Sequence, residues 1–168
     1  ALSNADYVVA KLDAAEEGLW KQINRPHPDL PSLKTIIDGL KKLRGLLSDG
    51  ELVISISALE LQNGVSNIES VHLKKIIHAL MDIQPDEVHV EAPPMHPILA
   101  LRIPSREALV KAVIELSDTV GKAFLLVGTS SPIPAELLRH IGLGRAEEAR
   151  KEMPKPKRAE GPSTSYVG

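Results

Sequence analysis

The stretch EVHVEAPPMHPILALRI, Glu87 to Ile103, is the one on which the reading of the fold turns. Two runs of strand-like character, EVHVEA and ILALRI, flank the five-residue connector PPMHP. Parallel neighbours need a crossover of a dozen or more residues, so this connector predicts a hairpin in which ILALRI returns antiparallel to EVHVEA. With residues 92–97 as the loop, His89 faces Ala100 and Glu87 faces Arg102. Val88 and Val90 then point to one face with Leu99 and Leu101, and His89 and Glu91 to the other.

Working outward, ELVISISALEL (Glu51 to Leu61) alternates and is rich in β-branched residues. It predicts a strand with Ile54, Ile56 and Ala58 on one face and Val53, Ser55 and Ser57 on the other. QNGVSN is turn chemistry. A helix is expected from about Ser70 to Ile83, a second one capped by Ser105 and stopped by Gly121, and a last strand in AFLLVG. Residues from about 51 to 128 thus give strand, helix, strand, strand, helix, strand, the order of the ferredoxin-like split βαβ sandwich. Right-handed crossovers then place the third strand between the first two and the fourth at the edge beside the first, with both helices on one face. A mixed or parallel α/β sheet is the competing arrangement.

Upstream, Val8, Leu12, Ala15, Leu19 and Ile23 recur at helical spacing, NRPHPDLP breaks the chain, and Ser32 caps a second helix with Leu33, Ile36, Ile37, Leu40, Leu43 and Leu47 on its stripe. Downstream, Pro134 opens a helix that Gly142 ends, and RAEEARKEM is a charged further turn or two. From Pro154 onward Pro, Lys, Gly and Ser predict a flexible tail. The division expected is an N-terminal helical pair (1–50), a ferredoxin-like core (51–130), C-terminal helices (131–153) and the tail (154–168). The octets LKTIIDGL (Leu33 to Leu40) and LKKIIHAL (Leu73 to Leu80) share a Leu, Ile, Ile, Leu stripe that any one-sided helix selects, so they read as two matching helices and not a functional box.

Composition excludes several function classes. Across 168 residues there is no cysteine, so disulfides, thiolate nucleophiles and Cys-ligated zinc are all ruled out. The aromatic stock is Tyr7, Trp20, Phe124 and Tyr166, and the predicted central strands carry no ring, which argues against base stacking of the RNA-recognition type. The net charge of −2 gives no domain-wide basic field for nucleic acid. No apolar run is long enough to span a membrane and no signal peptide is recognisable, so a soluble, reducing, cytoplasmic location is the expectation.

Three candidate sites remain. The first is the sheet face that gathers Ser55, Ser57, Glu87, His89, Glu91 and Arg102, where His89 and Glu91 are the acid–base candidates and the others could hold a polar ligand. A solvated sheet face with weak cross-strand pairs gives the same pattern. The second is Gly128, Thr129, Ser130 and Ser131 after a buried strand and before a helix, where amides and hydroxyls could meet an anion. A simple capped turn gives that pattern too. The third is Lys155, Lys157 and Arg158 in the tail, which could touch a polyanion such as nucleic acid or an acidic protein. No metal-ligand spacing, nucleophile elbow or phosphate loop is present, so neither metal nor cofactor is expected. The expectation is a non-enzymatic binding or assembly module, homo-oligomeric through surplus apolar helix surface, with the tail contacting a partner. The alternative is a small enzyme acting on a phosphate-bearing or nucleotide-like substrate at the Gly128 to Ser131 turn.

Overall fold

In the computed structural model the described residues are 4–92, 101–128 and 132–140. They begin with a strand, β1 (Tyr7–Lys11), where helical spacing predicted a helix. YVVAK carries adjacent valines, and its alternation turns Val8 inward while Tyr7, Val9 and Lys11 face out, which suits a strand. The helical stripe was deceptive because it runs across two elements: Val8 and Leu12 sit inward around the strand and Leu19 and Ile23 on the helix that follows. That helix, α1 (Glu17–Asn24), ends with Arg25 in the left-handed region. The next, α2 (Leu33–Leu46), starts as expected at Ser32, whose Oγ accepts from the Thr35 amide at 3.2 Å.

The chain then alternates: β2 (Glu51–Ser57), the short β3 (Glu60–Leu61), α3 (Ser70–Ile83), β4 (Glu87–Ala92), the short β5 (Leu101–Arg102), α4 (Arg106–Val120), β6 (Ala123–Val127) and β7 (Ile133–Pro134). The main sheet runs β1-β2-β4-β6-β7, with the first four strands parallel and β7 antiparallel to β6. The fold is therefore mixed α and β around a mostly parallel five-stranded sheet, the competing arrangement above.

The split βαβ topology is corrected at Glu87 to Ile103. Both sides of β4 are occupied by parallel partners, β2 and β6, so it has no free edge for an antiparallel return. Instead Leu101 and Arg102 pair antiparallel with Leu61 and Glu60 in a separate two-stranded sheet, and Arg102 faces Glu60 rather than Glu87. The helix α3 joins β2 to β4 and α4 joins β4 to β6, which is how parallel neighbours are connected.

The helices share one side of the sheet. Leu52, Ile54 and Ile56 of β2, Val88 and Val90 of β4, and Ala123 and Leu125 of β6 form a single core with Leu73, Ile76, Leu80 and Ile83 of α3 and Leu109, Val113 and Leu116 of α4. Helices α2, α3 and α4 pack side by side over it. The matching octets are the inner faces of α2 and α3, neighbours in this layer. The alternate residues, Val9, Lys11, Val53, Ser55, Ser57, Glu87, His89, Glu91 and Phe124, project to the opposite face, and none belongs to the core cluster. Parallel sheets usually have both faces covered and read as unbroken apolar runs. Here β4 and the second half of β2 alternate, with Glu87, His89, Glu91, Ser55 and Ser57 opposite the core, and that alternation imitated an antiparallel sheet.

Candidate functional site

The segments leaving the carboxyl ends of β1 and β2 are tied together by buried polar groups. Asp13, 2% exposed and just past β1, accepts the Ser57 amide at 2.7 Å and the Asn24 side-chain amide at 2.7 Å. Asn67 is fully buried: its Nδ2 donates to the carbonyls of Asp13 (2.8 Å) and Ser57 (2.7 Å), and its Oδ1 accepts from the Leu59 amide at 2.8 Å. One side chain thus satisfies three backbone groups from two loops, groups whose burial without partners would be costly.

On this frame stands a cluster of opposite charges. Lys11 Nζ donates to Ser57 Oγ at 2.5 Å and lies 3.4 Å from Asp13 and 3.9 Å from Glu91. Ser55 Oγ donates to Glu91 Oε1 at 2.7 Å. Register explains the convergence: Lys11 pairs with Ser55 and Ser55 with His89 in one row, and Ser57 pairs with Glu91 in the next. The serines are buried, whereas Lys11 and Glu91 keep 50% and 38% of their side-chain surface open. An ammonium has three protons and a carboxylate about four acceptor positions, so both ends retain capacity toward solvent.

Lower on the same face, His89 Nε2 lies 3.2 Å from Glu87 Oε2, Lys122 approaches the other Glu87 oxygen at 3.7 Å, and Phe124 meets the imidazole edge to face with centroids 5.5 Å apart. Burial, followed by the negative fields of Glu87 and Glu51, raises the Tyr7 phenol above its ordinary pKa.

Of the residues singled out in the sequence, Ser55, Ser57, Glu87, His89 and Glu91 do share one face. Arg102 does not, because β5 belongs to the other sheet. Gly128 ends β6 with φ +59°, while Thr129, Ser130, Ser131, Lys155, Lys157 and Arg158 lie outside the described residues. Lys11, Asp13, Asn24 and Asn67 do not stand out in the sequence, because helical spacing covers the segment carrying Lys11 and Asp13 and turn chemistry accounts for Asn67. The available signal was VVAKLD, a β-branched pair running straight into Lys-x-Asp. Among the described residues no group of three or more His, Asp or Glu is placed to hold a metal ion.

A separate cavity of about 700 Å³ lies on the helix side, near the ends of β4 and β6 and the start of α4. Its walls include Ala92, Ile103, Val110, Leu125, Val127 and Ile133, with Arg106 as the charged group.

Fold and site together define an α/β protein with its helices on one side of a mostly parallel sheet and a charged cluster at the strands' carboxyl ends. Over 120 residues, 71% of its length, the chain is 28% identical to UPF0026 protein MJ1312 of Methanocaldococcus jannaschii, and the match spans 36% of that protein. No family model and no solved structure matches the chain. Among the described residues no helix is long and apolar enough to cross a membrane.

Proposed function

We propose that the chain binds a small polar molecule at the carboxyl ends of β1, β2 and β4, with Lys11 and Glu91 as the contacting groups. The observation that carries this reading is the convergence of Lys11, Asp13, Ser55, Ser57 and Glu91 from three adjacent parallel strands. Open sheets with parallel strands bind ligands beyond those carboxyl ends. Burial of the serines and Asp13 fixes the two exposed charges before any ligand arrives, which lowers the ordering cost of binding. The fit is to an anionic oxygen beside a hydroxyl or amine donor, the former on Lys11 and the latter on Glu91. Glu91 can also exchange a proton with such a donor, so acid–base work on the ligand is within the site's chemistry.

A thermal-shift and calorimetric screen of small hydroxy- and amino-carboxylic acids, such as glycerate and serine, tests this. Binders should lose about tenfold or more in affinity in Lys11→Met and in Glu91→Gln, since each substitution removes a charge-assisted hydrogen bond. Binding that is unchanged in both variants would refute the site.

A second reading, homo-oligomeric assembly, is favoured by one observation: Tyr7 and Val9 on edge strand β1 are 51% and 55% exposed. Exposed edge strands invite pairing with another chain. Light scattering decides it: a dimer that Val9→Lys converts to monomer supports assembly through β1, and a strict monomer at high concentration excludes it.

A further inference from the structure

We propose that the cavity between α4, β4 and β6 is a second, independent ligand site that takes a monocarboxylate with an unbranched apolar body, its acid group at Arg106. The cavity's volume of about 700 Å³ falls within the usual range of small-molecule sites. Its described lining is almost wholly aliphatic and includes Val127, which is 44% exposed. Among the described residues Arg106 is the one cationic lining residue; it is exposed, and its positive field reaches the neighbouring Glu107. The carboxylate beside it is engaged mainly elsewhere: Glu107 turns back to its own backbone N–H and to the Ser105 hydroxyl, with Arg106 adding a smaller attraction, and together these hold its pKa low. An exposed guanidinium next to an apolar cavity selects an acid with a hydrocarbon tail, because a carboxylate can take two of its N–H groups while the tail leaves water.

This site shares no residue with the Lys11 and Glu91 cluster, and it faces the helix side of the sheet. Its occupancy and that of the polar site are separable. Calorimetric titration of the chain with octanoate, decanoate and decanol, all below their aggregation limits, tests the proposal. Affinity should rise about fourfold for each added methylene between octanoate and decanoate, the ratio expected for burying one methylene. Decanol should bind about tenfold more weakly than decanoate. Arg106→Gln should remove the difference between acid and alcohol, and Val127→Trp should abolish binding of both by filling cavity space beside the lining position. Because Val127 is already exposed, that variant should retain its circular dichroism and its melting temperature. Lys11→Met should leave decanoate binding unchanged. No decanoate binding, equal binding of decanol and decanoate to the unaltered chain, or affinity unaffected by both Arg106→Gln and Val127→Trp would each overturn the proposal.

Discussion

Asn67 shows how much one buried amide can organise. Its carboxamide satisfies the Asp13 and Ser57 carbonyls and the Leu59 amide, so removing it strands three backbone groups in a dry environment. Asn67→Ala should lower unfolding stability by about 3 kcal/mol, the order expected for several buried groups left unpaired. Urea denaturation reads this directly. Because Asn67 makes no contact with Lys11 Nζ or the Glu91 carboxylate, any ligand bound there should lose affinity only through displacement of Asp13 and Ser57. Asp13 likewise acts as a positioning residue: it anchors the β1 loop through the Ser57 amide and steadies the Lys11 ammonium. These roles were not legible in sequence. Asn67 sits in QNGVSN, where local turn chemistry accounts for every polar residue, and nothing local reveals a carbonyl fifty-four positions away.

At the scale of elements, the turn from α2 into β2 depends on Gly50. A Cβ there would stand 2.2 Å from the Ala5 carbonyl oxygen, and that oxygen belongs to backbone with little freedom, since Asp6 next to it accepts the Glu51 amide at 2.9 Å. Gly50→Ala should cost about 1–3 kcal/mol by forcing β1 away from β2, with loss of amide-exchange protection in both strands. The loop before α1 is held to α3 by Glu16, which accepts from Lys75. That bond, with His72 adding a smaller attraction, keeps the Glu16 pKa below its ordinary value. A depressed carboxylate contributes stability above its unfolded-state pKa and loses it as the pH falls through its folded-state pKa. The unaltered chain should therefore lose more stability than Lys75→Met as the pH drops below about 4.5, and the two should run parallel above pH 6. Thermal unfolding across that range provides the comparison.

The helices α2, α3 and α4 and their caps at Ser32 and Ser105 were legible because their signals are local: a one-sided apolar stripe and a hydroxyl before it. β1 was not, because Val8 and Leu12 around the strand and Leu19 and Ile23 on the following helix together fall at helical spacing. The pairing of β4 was not, because strand direction is decided by what fills each edge. A connector's length limits it only if the next apolar run is indeed the partner.

For the whole molecule, a one-sided helix layer leaves the polar residues of β2 and β4 on the other sheet face, beside Lys11 of β1, and that division is the source of the site. Val88 and Val90 hold β4 against α3 and α4 while His89 and Glu91, one residue out of phase, are presented on the far side. The same alternation places Ser55 and Ser57 there and puts Lys11 beside them. Five of the six face residues expected from sequence arrive together because period-two alternation survives any change of strand partner. Arg102 falls away because it alone depended on the hairpin.

Chemical-shift mapping is the most direct test that the carboxyl ends of β1, β2 and β4 form a binding site. Amide resonances of an isotope-labelled chain would be followed during titration with glycerate and with serine. Shifts confined to residues 10–14, 55–58 and 90–92, and lost in Lys11→Met, are the predicted result. No shifts with either compound, or shifts gathered elsewhere and unchanged in Lys11→Met, would contradict it.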